Sequence, residues 1–329
     1  MRARTNIVTE EKWGLVNGDN KKLLDDFMFE CKASNKSICT INTYRITIKV
    51  FFIWVLDNKD NANVLTLGRR DFQEYSMHLK DRGLSSASHN QYISSVKVML
   101  EYAEDMEELG YMKNTCSKVK RMKIKRVMKK TYLTDDQITK LYSELLRRKN
   151  YKEAAYLAIS YDSTARVKEI IQIEKYGFED EDRNNTNYVY KKAYAEPSPV
   201  IYFKRTKEAV KMYLEERGKD NIDSLWLSQC KRACTVSAAE YWCRKMSKIL
   251  SKIECNSNRF TPHDIRRSSI NNYHNGTHYM CEVRIERVPY PIQDIQLLAN
   301  HKTKSMTEYY LKNNKQKNLE NAFGIKIVS

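Results

Sequence analysis

Apolar positions in the first third of the chain recur at helical intervals. Thr40, Tyr44, Ile48, Phe51 and Trp54 follow one another at steps of four and three, which puts them on one face of a helix. A second stripe follows Ser85 and Ser86 and carries Tyr92, Val96, Met99, Leu100 and Ala103. Between the two, Leu67 to Gly83 reads as a shorter helix closed by a glycine. From Asn20 to Leu109 the pattern predicts a compact bundle of about four helices. It breaks in Lys118 to Lys130 and restarts at Thr134, whose spacing to Gln137 makes a capping box ahead of Leu141 and Leu145. Helices are expected over Tyr151 to Tyr161 and from about Arg166 to Tyr176. The β signal is Tyr188, Val189 and Tyr190, then Val200 to Phe203; Pro197 and Pro199 between them suit a hairpin or small sheet edge. Helices resume at Glu208, and no internal repeat is visible. The expected fold is mainly α with a small antiparallel β-sheet. The expected organisation is an N-terminal extension (1–19), a helical domain (20–117), a basic linker (118–132) and a second domain (133–329) with a C-terminal tail (311–329).

Length and composition support two soluble domains. The 329 residues are too many for one small core, and 41% hydrophobic with 30% charged residues is globular rather than disordered. The charge balance changes the picture. Fifty-eight Lys and Arg against forty-one Asp and Glu give +17, which favours a polyanionic partner, since each neutralised phosphate releases counterions. Lys118, Lys120, Arg121 and Lys123 open the most basic run, at the domain boundary. Such a run is either a solvated segment or a strap lying along phosphates; its place in so basic a chain favours the strap. The start, Met1 to Gly14, has no apolar core, and the longest apolar run, Val50 to Leu56, is too short for a bilayer, so no membrane association is expected. Eight scattered cysteines form no C-x-x-C pair and no zinc-finger spacing, and read as reduced thiols of a cytoplasmic protein.

Three segments carry candidate chemistry. In Thr261-Pro262-His263-Asp264-Ile265-Arg266-Arg267, Thr261 is a good N-cap, Pro262 fits the first helical position and Asp264 completes a capping box. His263 and Arg266 then share one face of the first turn, at the positive pole of the helix, where both can donate to one phosphate. A helix over Pro291 to Asn300 ends at Asn300, which tolerates the left-handed cap, and His301 follows at once. Nine residues on lies the pair Tyr309-Tyr310, two of 22 tyrosines; a hydroxyl of pKa about 10 needs cationic surroundings to attack a phosphodiester. In the third segment, Ser163 to Ile170, Arg166 and Glu169 stand three apart, with Ile170, Ile171 and Ile173 apolar.

Together these segments resemble the tyrosine recombinase (phage integrase) superfamily, which uses an arginine, a His-x-x-Arg pair, a His or Trp and a tyrosine in that order. Here the order is Arg166, His263 with Arg266, His301 and Tyr310, and the spacing from His301 matches the family's at Tyr310 rather than Tyr309. Glu169 matches the family's acidic residue. The likeness spans nearly the whole chain: residues 20–117 resemble the family's SAM-like core-binding domain, and residues 133–329 its α-rich catalytic domain. The family's hairpin lysine falls on Lys192, chosen over Lys191 by its distance from Arg166 and Val200, with Lys204 a remoter candidate. Three departures stand out: Thr164-Ala165-Arg166 for Gly-Leu-Arg, Ala299-Asn300-His301 for Leu-Gly-His, and a longer stretch between Gly276 and Pro291 that carries Arg284 and Arg287.

The resemblance implies a site-specific recombinase of mobile DNA. It would need no metal or other cofactor, because two guanidiniums supply the charge a metal would. It would act on double-stranded DNA at specific recombination sites, as a homotetramer on DNA and a monomer or weak oligomer when free. The apolar set Leu319, Ala322, Phe323 and Ile325 would dock the tail on a neighbour. The same chemistry serves DNA-relaxing and telomere-resolving enzymes, and a silent DNA-binding relative is the alternative of another class.

Overall fold

Capping side chains start many of the helices where their sequence signals stand. A computed structural model describes residues 7–123, 130–180, 182–190, 196–256, 259–282 and 289–311. Contacts divide the chain into two units, Met1–Met128 and Lys129–Ser329. The first unit holds α1 (Glu10–Leu15), α2 (Gly18–Ala33), α3 (Ile38–Asn58), α4 (Arg69–Asp81) and α5 (Ser86–Asp105). Ser37 caps α3 and Ser85 caps α5, each accepting a bond from a backbone N–H three residues on. Glu10–Leu15, read as extension from the sequence, forms α1 and packs on the bundle: Trp13 stacks on Phe52, and Val16, the C-cap, is buried. By length and composition α3 could cross a membrane, but Phe51, Phe52, Ile53 and Val55 are fully buried within its own unit, as in a core helix. After α5 the chain passes a 3₁₀ turn, Thr115–Lys118, and extends. Asn90 of α5 holds both polar groups of the Met122 backbone (2.9 and 2.8 Å), while Lys118, Lys120, Arg121 and Lys123 are all exposed.

The second unit is built around α7 (Tyr151–Ser163), buried on every side from Glu153 to its end. It follows α6 (Asp135–Arg147), started by the expected reciprocal Thr134–Gln137 box (3.1 and 3.2 Å). The helix expected from Arg166 to Tyr176 is much shorter, α8 (Val167–Ile170). The chain leaves helical geometry so that Ile173 and Lys175 can pair with the segment Asp223–Leu225, a tertiary pairing that overrides local propensity. The two-stranded antiparallel sheet pairs β1 (Asn185–Val189) with β2 (Ser198–Ile201). It sits slightly earlier than expected: Tyr202 and Phe203 lie outside it, because α9 (Lys204–Arg217) begins before Glu208 with Phe203 as its N-cap. The unit is completed by α10 (Val236–Ile253), α11 (Pro262–His274), α12 (Tyr279–Glu282), α13 (Ile292–Leu298) and α14 (Lys304–Glu308). Tyr156 packs edge-on against Trp226 and Trp242 at its core, and the two tryptophan rings are tilted against each other. Lys191, Lys192, Arg284, Arg287 and the tail beyond Leu311 lie outside the described residues. All eight cysteines are free.

Candidate active site

Three chain turns deliver the candidate residues. At the end of α7, Thr164 turns the chain with a left-handed backbone (φ 54°). Arg166 then becomes the N-cap of α8, not a member of it. Glu169 holds Arg166 twice: one carboxylate oxygen accepts its backbone N–H (2.7 Å) and the other its guanidinium (3.0 Å). Glu169 is buried, whereas the Arg166 side chain keeps 32% of its surface open. Behind this turn sits a polar core. Buried Asp162 accepts from Thr206 and Tyr279 (2.6 Å each), and its carbonyl accepts from Tyr273 (2.9 Å). Tyr279 comes from α12, so the lengthened stretch after Gly276 helps to anchor the chain just ahead of Arg166.

The second turn is the start of α11. Thr261 and Asp264 form the expected box with Pro262 in the first turn, and Asp264 also pairs with Arg267. His263 is exposed and Arg266, one turn on, is buried. The Arg266 guanidinium donates to the carbonyl of Thr164, to the carbonyl of Ala299 (2.9 Å) and to Nε2 of His301 (2.7 Å); its Nε is buried with no partner among the described residues. Burial and the charge of Arg166 lower its pKa, while Tyr310 and Glu169 oppose them.

The third turn ends α13. Asn300 takes the left-handed cap (φ 50°) and the His301 N–H reaches back to the Gln296 carbonyl (3.0 Å), a Schellman ending. Gln296 also donates its side-chain amide to the His301 carbonyl (3.1 Å). Desolvation, then the charges of Arg266 and Arg166, push the His301 pKa down to about 4, so its ring is neutral at pH 7. Desolvation lowers His263 as well, helped by Arg267 and Arg266.

Tyr310 packs into this group. Its ring lies 5.1 Å from that of His301, nearly parallel, and 5.2 Å from that of His263; the Arg266 guanidinium carbon is 5.4 Å from its centroid. Tyr309 points elsewhere. It is 45% exposed, and Lys130 stands 4.3 Å from its ring centroid. The structure thus gathers His263, Arg266, His301 and Tyr310, with Arg166 and its partner Glu169 adjoining through the Thr164 turn. Lys204 is not gathered: its side chain is 87% exposed and pairs with Glu208. Among the described residues, no group of three or more His, Cys, Asp or Glu side chains could hold a metal ion.

Several supporting residues had no sequence signal of their own. Tyr132 donates to the Tyr310 carbonyl (3.1 Å) and Lys130 to that of Tyr309 (2.7 Å), so the start of the unit clamps the tyrosine pair. Thr307 and Gln296 fix His301. Only Thr307 was traceable in principle, since it precedes Tyr310 by one helical turn.

Comparison with known proteins agrees with this layout. The model described as "Phage integrase, N-terminal SAM-like domain" matches residues 23–107, and that described as "Phage integrase family" matches residues 131–317. The SPbeta prophage-derived recombinase-like protein YomM of Bacillus subtilis (strain 168) is 26% identical over 297 residues, covering 84% of this chain and 83% of YomM. The structure of a lambda integrase(75-356) dimer bound to a COC' core site aligns with 89% of this chain and 95% of its own, at 14% identity and a TM-score of 0.66. The Tn1549 transposon integrase (aa 82-397), solved with circular intermediate DNA, aligns over 92% and 98%, at 14% and 0.65. These two structural likenesses show a shared fold.

The Thr164 turn generates a prediction. A β-branched residue in the left-handed region carries strain of about 1–3 kcal/mol, and the buried Thr164 hydroxyl has no partner among the described residues. Thr164→Gly is expected to raise unfolding stability by about 1 kcal/mol, part of the relief being offset by glycine's greater chain entropy. Urea denaturation checks this; a lower midpoint would show that the threonine side chain contributes more by packing than it costs in strain.

Proposed function

This chain belongs to the phage integrase family of tyrosine recombinases, and from that premise we propose that it cuts and rejoins DNA at specific sites through Tyr310. The observation that carries the reading is the packing of one tyrosine, out of 22, against both candidate histidines and the buried Arg266. The Tyr310 oxygen attacks the scissile phosphorus in line. A tyrosine–phosphorus bond forms, the bond to the 5′-oxygen breaks, and that oxygen leaves as a hydroxyl once it takes a proton. The DNA end is held as a 3′-phosphotyrosine, so the bond energy is kept for rejoining and no nucleotide cofactor is required.

Charge gathers on the phosphoryl oxygens in the transition state, and planar guanidiniums are suited to it. Arg166, partly open and steered by Glu169, meets one oxygen; Arg266, with its unpartnered Nε–H, meets another. His263, at the positive end of α11, donates to the same group, and His301 holds Arg266 and manages protons beside Tyr310. Lys192 is assigned as the proton donor to the 5′-oxygen, on the family resemblance. The exposed Lys118, Lys120, Arg121 and Lys123 lie along DNA phosphates. Domain bounds near 20–117 and 133–329, a homotetramer on double-stranded DNA joined through the tail 311–329, and action on nucleoid DNA in the cytoplasm complete the reading, supported by family membership and by the charge of +17.

Two outcomes test it. A nicked suicide duplex made from the DNA flanking the gene is expected to trap wild-type protein covalently, whereas Tyr310→Phe binds that duplex equally and forms no adduct; an adduct persisting in the variant would move the nucleophile to Tyr309 or elsewhere. Replacing Lys118, Lys120, Arg121 and Lys123 with alanine should flatten the dependence of log affinity on log salt by about 0.9 for each phosphate no longer neutralised. An unchanged slope in filter binding would remove this segment from the DNA interface.

A further inference from the structure

Thr307 is fully buried in α14, and its hydroxyl lies 2.9 Å from Nδ1 of His301. The opposite ring nitrogen, Nε2, lies 2.7 Å from Nη2 of Arg266. A guanidinium only donates, so Nε2 must offer its lone pair. In a neutral imidazole the one N–H then sits on Nδ1, and it donates to the Thr307 oxygen. We propose that Thr307 is a positioning residue of strand transfer: it fixes the tautomer and the tilt of the His301 ring, and through that ring holds the Arg266 guanidinium where the phosphate is bound. This rests on the reading of Arg266, His301 and Tyr310 as the strand-transfer machinery.

The geometry leaves the imidazole little choice. With the hydroxyl removed, a buried Nδ1–H has no acceptor, and the alternative tautomer sets an N–H against the Arg266 donor. The contact also ties three parts of the site together. His301 follows α13, Arg266 belongs to α11, and the Tyr310 N–H bonds to the carbonyl of Thr307 itself (2.9 Å). One threonine therefore sets the histidine with its side chain and the tyrosine with its backbone. In this arrangement Nε2 of His301 is an acceptor, and it would turn donor only on gaining a proton as phosphate charge arrives.

The test uses the full chain. Nitrogen-15 NMR of the histidines, with His301→Gln for assignment, should show His301 protonated on Nδ1 and bare on Nε2 at pH 7. Thr307→Val should lose that signature and Thr307→Ser keep it. With the same flanking-DNA suicide duplex, Thr307→Val should form the covalent adduct roughly tenfold to a hundredfold more slowly at unchanged DNA affinity, and Thr307→Ser should recover most of the rate. Wild-type His301 protonated on Nε2 overturns the proposal even if the valine variant fails to fold, as does a valine variant that cleaves at the wild-type rate. Wild-type protein that forms no adduct overturns the underlying reading of the site as well, and is told apart from those outcomes by that result.

Discussion

A buried guanidinium has to be satisfied by its surroundings, and Arg266, 1% exposed, sets that condition for the catalytic unit. Among the described residues no carboxylate pairs with it directly. Its charge is held by two backbone carbonyls and an imidazole from two parts of the chain: Thr164 at the end of α7, and Ala299 with His301 at the end of α13. A carbonyl can point at a central cation only if its helix stops at the right place. Both left-handed turns, at Thr164 and Asn300, follow from this requirement. The same turns aim Arg166 and His301, so one constraint satisfies the buried charge and assembles the groups that would meet a phosphate.

The rest of the unit supports those two stops. α7 is buried all round, which fixes the position of Thr164, and the Asp162 core with Tyr273, Tyr279 and Thr206 locks its last turn. Below it, Asn272 of α11 bonds to the Leu133 carbonyl and to the Tyr161 hydroxyl, tying α11 to both α7 and the start of α6. The tyrosine pair is clamped from the opposite end of the unit by Lys130 and Tyr132. The proposed nucleophile is therefore held by contacts distant in sequence as well as by Thr307 of α14, a helix of only five residues.

Legibility followed the range of the interactions. Helices of the first unit were readable because their signals are local: serine caps at Ser37 and Ser85, and stripes such as Ile48, Phe51 and Trp54. The Thr261–Asp264 box and the Asn300 cap were equally local, and they placed His263, Arg266 and His301 in register. Where tertiary pairing decides, the pattern misled. Ile170, Ile171 and Ile173 suggest a continuing helix, yet the backbone pairs with Leu225 instead. The partners of the site residues had no periodicity to reveal them. Gln296 and Tyr132 matter through single hydrogen bonds to the carbonyls of His301 and Tyr310, which composition and spacing do not encode.

The forked geometry of Arg266, and not only its charge, organises the site. Arg266→Lys keeps the charge but cannot reach Thr164, Ala299 and His301 at once. The direct measurement is the rate of covalent adduct formation by this variant, beside its affinity for the same duplex. A loss of about a hundredfold or more in rate, with affinity nearly unchanged, is expected. Cleavage close to the wild-type rate would contradict it.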